Sequence, residues 1–501
     1  MIPFNIPMSF LENIVGTFND GLWTYIVPWL LVGAGIFFGF RTALVQLRMI
    51  PSMLKSVVER PKGTGKNADE EYGGISAFKA FTISAASRVG TGNVAGVAVA
   101  ISVGGPGAVF WMWMIAILGG ATAFIESTLA QLWKVRDGEN YRGGPAYYMK
   151  KGLGWTPLAV IFSVAISFTF GFVYNAFQTN AIAESLATSF GNDSFTFRAI
   201  VGVIIAVVSG FIIFGGVQRI ANMTQIIVPF MAVAYLIIGL YVVITNIDAV
   251  PGVISDIVTH ALGFQQIAGA GLGAAMMQGI QRGLFSNEAG EGSAPNAAAT
   301  ATVSHPVKQG LVQTLGVYFD TLVVCSITAF IILLGTDLEY GGEAEGVSLT
   351  QLALSNEVGD WGAHMVTFIL FFLAFSSIFG NYYLAEANVE YLTQSRTWLF
   401  LFRAVVIFFV WFGAVGSLPL VFALADTGAG TMVILNILAI VPLSGVALKL
   451  LKNFNDQRRQ GIDPVFHRDM LPELENVEVW DGSDPATRRG LDMIENKNRA
   501  E

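Results

Sequence analysis

Residues 87–96 read SRVGTGNVAG, and they fall inside an apolar run, 75–102, long enough to cross a bilayer. Arg88, Thr91, Asn93 and the glycines at 90, 92 and 96 crowd into that short stretch. Glycine in a helix interior costs about 1 kcal/mol relative to alanine, and backbone left unpaired in lipid costs on the order of several kcal/mol per group. Such a stretch is stable only where the helix unwinds beside a polar cavity. There, freed carbonyls can bind a cation, and the N-terminus of the following half-helix can bind a carboxylate.

A second place of this kind lies far downstream, QRGLFSNEAGEGSAPNAAA at 281–299. It carries Arg282, Gly283, Ser286, Asn287, Glu288, Gly290, Glu291, Gly292 and Pro295. Arg88 precedes Asn93 by the same interval as Arg282 precedes Asn287. Interrupted segments at corresponding positions of two halves of opposite topology are the mark of an inverted-repeat secondary transporter. Close helix packing accounts for small residues such as Gly119, Gly120, Gly215 and Gly216. It does not account for Arg88, Asn93, Asn287 and Glu288 at membrane depth, where polar groups are costly.

Composition sets the frame. The 501 residues are 53% hydrophobic and 13% charged, with a mean hydropathy of +0.59, against roughly a quarter charged in a soluble chain. Apolar runs of about 20 residues, the length that spans a hydrocarbon core, recur throughout. The pattern describes an all-α polytopic membrane protein. A net charge of −8 leaves no basic face for nucleic acid. The single cysteine, Cys325, rules out an internal disulfide. The first 20 residues lack the basic start of a cleaved signal peptide.

Eleven transmembrane helices are expected. A leader covers 22–48. Ten core spans follow near 75–102, 106–133, 156–188, 197–217, 221–245, 265–301, 309–334, 361–392, 397–414 and 417–448. The cationic connections are Arg41, Arg48, Lys55, Arg60, Lys62 and Lys66; then Lys134, Arg136, Arg142, Lys150 and Lys151; and finally Lys449, Lys452, Arg458 and Arg459. The alternate connections, 189–196, 246–263 and 335–360, hold no Lys or Arg, and the last is acidic through Asp337, Glu339, Glu343, Glu345, Glu357 and Asp360. By the positive-inside rule the N-terminus is outside and the C-terminus cytoplasmic, in a plasma membrane of bacterial type. The segments are then 1–74, an outside N-terminus, leader helix and linker; 75–245, a first five-helix repeat; 246–448, a second; and 449–501, a partly disordered cytoplasmic tail.

At AFTISAASRVGTGNVAGVAVAISVGGPGAVFWMW, at YRGGPAYYM and above all at RGLFSNEAGEGSAP the chain resembles the alanine or glycine:cation symporter family across about 20–450. The resemblance implies a leucine-transporter-like fold, two inverted five-helix repeats preceded by one extra helix. It also implies Na⁺ as coupling ion with no cofactor, and alanine, glycine or another small neutral amino acid such as glutamine as substrate. Carried over by position, Gly90, Thr91 and Gly92 receive the substrate carboxylate, Gln178 contacts the substrate, and Met276, Gly279 and Ile280 face its side chain and ammonium. Ser376 and Ser377 offer hydroxyls to Na⁺ opposite carbonyls near Ala86 and Val89, with Asn93 beside them. Asn381 stands where some members of the family carry tryptophan, which implies a roomier or more polar pocket.

Plainer roles stand beside these. Ser376 and Ser377 could back-bond one turn earlier, Gln178 could join Asn175 and Asn180 as helix–helix glue, and Asn93 could cap the second half of its helix. Glu288 and Glu291 are expected to pair with Arg88 or Arg282 or to sit at the cytoplasmic mouth, and Glu126 is the candidate for a proton relay. No P-loop or metal-spaced Cys/His cluster is present, so neither ATP hydrolysis nor metal catalysis is indicated. The reading is a sodium-coupled symporter working by alternating access. The alternatives are a proton-coupled transporter of the same fold and an ion channel.

Overall fold

A computed structural model describes residues 8–59, 75–138, 140–215, 217–263, 272–342, 346–416, 418–483 and 485–500. Arg60, Lys62, Lys66, Gly216, Glu343, Glu345 and the expected helix start at 265–271 lie outside the described residues.

Among the described residues, nine helical segments are long and apolar enough to span a membrane. They are Val15–Arg41, Gly107–Leu132, Thr156–Phe190, Phe195–Ile213, Asn222–Thr245, Pro306–Gly335, Trp361–Leu392, Arg396–Val415 and Leu420–Arg459. Each overlaps an expected span. The two expected spans missing from this set are the two with glycine-rich interruptions, and each is divided in the structure.

In the first, α1 (Ala77–Arg88) stops at Val89, and the chain passes through a π-helical turn at Gly92–Gly96 into α2 (Val97–Gly104). Next comes α3 (Gly107–Leu132), followed by a hairpin of β1 (Val135–Asp137) and β2 (Asn140–Arg142). The long span at 156–190 ends in α4 (Asn175–Phe190). In the second broken span, α5 (Leu272–Asn287) and α6 (Ala294–Thr300) are separated by six non-helical residues. Then come α7 (Pro306–Tyr318), α8 (Trp361–Leu392) and α9 (Leu418–Arg459). The broken helices pack at the centre, α5 and α7 against α3, and α8 against both α1 and α4.

Two connections expected as plain loops contain helices, Val250–Ala261 and Val347–Val358. The second buries Val347, Leu349, Ala353 and Leu354, and its Thr350 Oγ1 lies 3.4 Å from Val94 O. It therefore packs over the π-helical turn that follows the first interruption.

The tail departs most from expectation. Instead of being partly disordered, 449–483 packs back on the bundle, with Val465, Phe466, Val479 and Trp480 buried. Trp480 donates to Gln131 O at 3.1 Å, Phe466 N donates to Ser304 O at 2.8 Å, and Ser304 Oγ donates to Pro464 O at 2.8 Å. Lys308 ties the linker to the tail, 3.0 Å from Glu59 and 2.9 Å from Asp463. These apolar residues are scattered among charges, so no hydropathy window exposes them, yet all are buried, with Phe466 and Trp480 packed edge to face 5.6 Å apart.

Candidate functional site

In an unbroken helix the N–H groups of Gly90 and Thr91 would bond to the carbonyls of Ala86 and Ser87. Here Gly90 N donates to Asn93 Oδ1 at 2.9 Å, and Thr91 N donates to Gln178 Oε1 at 3.1 Å. The carbonyls of Ala86 and Ser87 thus lose their helical partners within the membrane-embedded core. Thr91 Oγ1 also donates to Gln178 Oε1, at 2.7 Å. One amide oxygen from α4 therefore satisfies both donors of Thr91.

Position 90 has no room for a Cβ unless the Ser377 and Gln178 side chains turn aside. A Cβ there would collide with Ser377 Oγ and sit 2.9 Å from Gln178 Oε1. The unwound backbone is consequently clasped between α4 and α8, and Gly90, Thr91, Gln178 and Ser377 converge as the resemblance implied. Ser377 Oγ lies 3.5 Å from Val89 O while donating to Leu373 O at 2.9 Å. Ser376 Oγ donates to the same carbonyl at 2.8 Å. The plainer back-bonding role is thus present, and the hydroxyl lone pairs stay available to a cation.

Asn93 takes the capping role across the interruption through its Oδ1. Its Nδ2 donates to Asp320 Oδ1 at 2.7 Å and to Ser286 Oγ at 3.0 Å. Asp320, fully buried, also accepts from Ser286 Oγ at 2.6 Å and Thr321 Oγ1 at 2.9 Å. The sequence reading passed over Asp320. An ionisable residue in the run at 309–334 was the available signal. It sits in another π-helical turn, Phe319–Cys325, that packs against the one at Gly92–Gly96.

Asn381 is buried, its Oδ1 lies 2.8 Å from Ser87 Oγ, and its Nδ2 has no partner among the described residues. On the α5 side, expectation and structure part. A Cβ on Gly279 would strike Ala108 O and Trp111, and the stretch around Met276 lies against Gly104 through Ala274 and Gln278. Met276, Gly279 and Ile280 therefore sit too early in α5 to be its closest approach to the first interruption. Phe285 and Ser286, 3.2 and 3.4 Å from a Cβ built on Gly92, take that place. The cause is that α5 stays helical to Asn287, two turns further than the expected contact.

The charged groups also pair differently from expectation. Arg282 meets Asp426 of α9 at 2.5 Å and stacks on Phe422, 5.0 Å from the ring centre. Phe177 packs edge-to-face against both Phe422 and Phe285, with ring centres 4.6 and 4.9 Å apart. Arg88 forms no ion pair among the described residues and reaches only Gln313 O, at 3.4 Å. Glu288 is held by the hydroxyls of Ser87 and Ser293 at 2.7 and 2.5 Å, and Glu291 by Tyr174 at 2.7 Å. Glu126 accepts from Gly290 N at 3.3 Å and Asn436 Nδ2 at 2.7 Å. Nor is the Arg–Asn interval a structural echo, because Asn93 follows its interruption whereas Asn287 precedes the other.

At the opposite end, Ile75 and Ala301 form a parallel bridge, with Thr302 N donating to Ile75 O at 2.8 Å. Arg142 of the hairpin pairs with Glu390 of α8 at 2.6 Å. Closed contacts thus lie on both sides of one central site.

Residues 8–468 match the profile described as the sodium:alanine symporter family. The chain is 48% identical to the amino-acid carrier protein AlsT of Bacillus subtilis, over 94% of this chain and 98% of that one. It is 47% identical to the probable sodium/glutamine symporter GlnT of the same organism, over 95% and 98%. The structure of MhsT in complex with L-phenylalanine shares the fold, with a TM-score of 0.54 at 12% identity, covering 75% of this chain and 98% of that one.

Proposed function

Because the chain belongs to the sodium:alanine symporter family, it is a multi-pass membrane transporter and not an enzyme, and we propose that it couples sodium entry to uptake of a small neutral amino acid. The observation that carries this reading is the double acceptance of Thr91 N and Oγ1 by Gln178 Oε1. These are the donors that a substrate carboxylate would take, and the glutamine oxygen stands in for it. Gly90, Thr91, Gly92 and Gln178 then hold the carboxylate. Ala86, Val89, Ser376 and Ser377 supply oxygens to sodium, a hard cation suited to carbonyl and hydroxyl ligands. Asn93 orders the turn that both ligands share, so each raises the affinity of the other by the same factor.

The orphan Nδ2 of Asn381 favours a substrate range wider than alanine, with a polar side chain such as that of glutamine admitted. The nine apolar helices plus the two divided ones support eleven spans, read as a leader within 1–74, inverted five-helix repeats at 75–245 and 246–448, and a tail at 449–501. The cationic loops support an outside N-terminus and a cytoplasmic C-terminus. Alternating access then opens the Arg282–Asp426 and Arg142–Glu390 contacts in turn.

Uptake into proteoliposomes tests this with labelled alanine, glycine and glutamine, with sodium outside or choline in its place at constant pH. Loss of uptake in choline is the expected result. Unchanged uptake in choline with dependence on a proton gradient would favour Glu126 or Glu288 as carriers instead.

A further inference from the structure

The short helix Ile50–Val58 exposes Ile50, Leu54 and Val58, spaced four apart on one face, and buries Met53, Ser56 and Val57 on the other. A short helix with an exposed apolar row beside a transmembrane bundle lies in the bilayer surface. Its Ser52 and Lys55 line a cavity of about 330 Å³. The far wall is the end of α9, with Phe454 and Arg458, and the tail residues 461–464.

The charges of this cavity do not cancel. Lys308 is used by Glu59 and Asp463, and Asp463 also meets Arg489 at 2.9 Å. Both carboxylates facing the cavity are thereby compensated. Lys55 and Arg458 have no carboxylate within ion-pair distance among the described residues, and Arg458 only stacks over Phe454. Two cations on opposite walls thus remain to attract an anion, beside a serine hydroxyl and next to the exposed apolar row.

We propose that this cavity binds the phosphate of an anionic phospholipid. Lys55 and Arg458 supply the charge, and the acyl chains run along Ile50, Leu54 and Val58. The exposed apolar row favours a lipid over a soluble phosphate, because it continues the site into the hydrocarbon. A bound headgroup would join the helix after the leader to the end of α9, beside the Lys308 clamp that holds the tail. Its occupancy would therefore stiffen tail docking.

The full chain in neutral detergent is titrated with dioleoyl-phosphatidylglycerol, dioleoyl-phosphatidylcholine or sodium phosphate. Retained lipid is read by native mass spectrometry and thermal unfolding in parallel. Phosphatidylglycerol is retained over phosphatidylcholine and raises the unfolding temperature. Lys55→Gln with Arg458→Gln weakens its retention about thirty-fold, the loss expected of two surface cations, and leaves the unfolding temperature without lipid unchanged. A control, Lys449→Gln with Arg459→Gln, removes two cations outside the cavity and leaves retention at the wild-type value. Equal retention by the cavity variant overturns the site, as does an equal loss in the control. Full protection by sodium phosphate alone overturns the lipid and makes the ligand a soluble anion.

Discussion

The interruptions after Arg88 and after Asn287 are built differently. At the first, two N–H groups leave the helix and are taken up by amide side chains, one local and one from α4. Only Val89 and Gly90 depart from helical form there. At the second, six residues leave the helix, and Glu288, Gly290 and Gly292 adopt φ of +56°, +90° and +83°. Carboxylates from Glu126 and Glu288 and the amide of Asn436 fix that turn, with Asn436 Nδ2 donating to Gly290 O at 2.9 Å. The first is thus a small opening, and under the proposed function its partners are exchanged for ligands. The second is a rigid turn whose partners belong to the fold.

The sharpest way to break this distinction is Gly292→Ala. Positive φ costs a non-glycine residue about 1–2 kcal/mol. The new Cβ would also lie 2.8 Å from Phe162, 3.0 Å from Pro145 and 3.1 Å from Asn436. The expected outcome is loss of monodisperse protein in size-exclusion chromatography. Gly90→Ala is the counterpart. Gly90 has no positive φ to defend, and its Cβ meets only the Ser377 and Gln178 side chains, which can turn aside. That variant should purify as the wild type does while transporting at less than about a tenth of its rate, because the displaced groups are the ones we propose to bind the ligands. If both variants fold, or neither does, the two interruptions are not of different kinds.

Within the first interruption, Ser377→Ala isolates the cation. One hydroxyl ligand removed from a buried site costs about 1–2 kcal/mol, so the sodium concentration for half-maximal uptake should rise roughly tenfold. Amino-acid affinity at saturating sodium should move less. An unchanged sodium dependence would leave Ser377 Oγ as the helix back-bond to Leu373 that it also makes.

The sequence made both interruptions legible for one physical reason. Glycines and ionisable groups inside apolar runs conflict with a lipid environment wherever they occur, and the conflict does not depend on partners. Partner identity was less visible. Arg282 and Asp426 lie in different spans far apart in sequence, and either could have met several opposite charges. The placement of Met276, Gly279 and Ile280 depended on where α5 ends, and because it runs on to Asn287 its contact with Gly92 falls at Phe285 and Ser286 instead. Asp320 was passed over because it stands alone in an otherwise apolar run, with its partners Asn93 and Ser286 in two other elements. The tail failed by composition, since its buried residues are too scattered to register as a run.

That tail gives the smallest test, because it secures the chain leaving the second interruption. Ser304, four residues past α6, bonds Pro464 and Phe466 of the tail, and Lys308 clamps Asp463 one turn later. Burial works against the Asp463 charge, but Lys308 and Arg489 outweigh it and hold the carboxyl down to about 2. A carboxylate depressed in this way stabilises the folded state fully above its unfolded pKa of about 4, and the contribution is lost only as pH falls through about 2. Asp463→Asn should therefore lower the unfolding temperature by the same small amount at pH 5 and at pH 8. A deficit that shrank or reversed from pH 5 to pH 8 would mean that the Asp463 carboxyl titrates in that window in the folded protein, raised by burial rather than held down. The clamp would then be unformed, and the second interruption would be free on its tail side, no more rigid than the first.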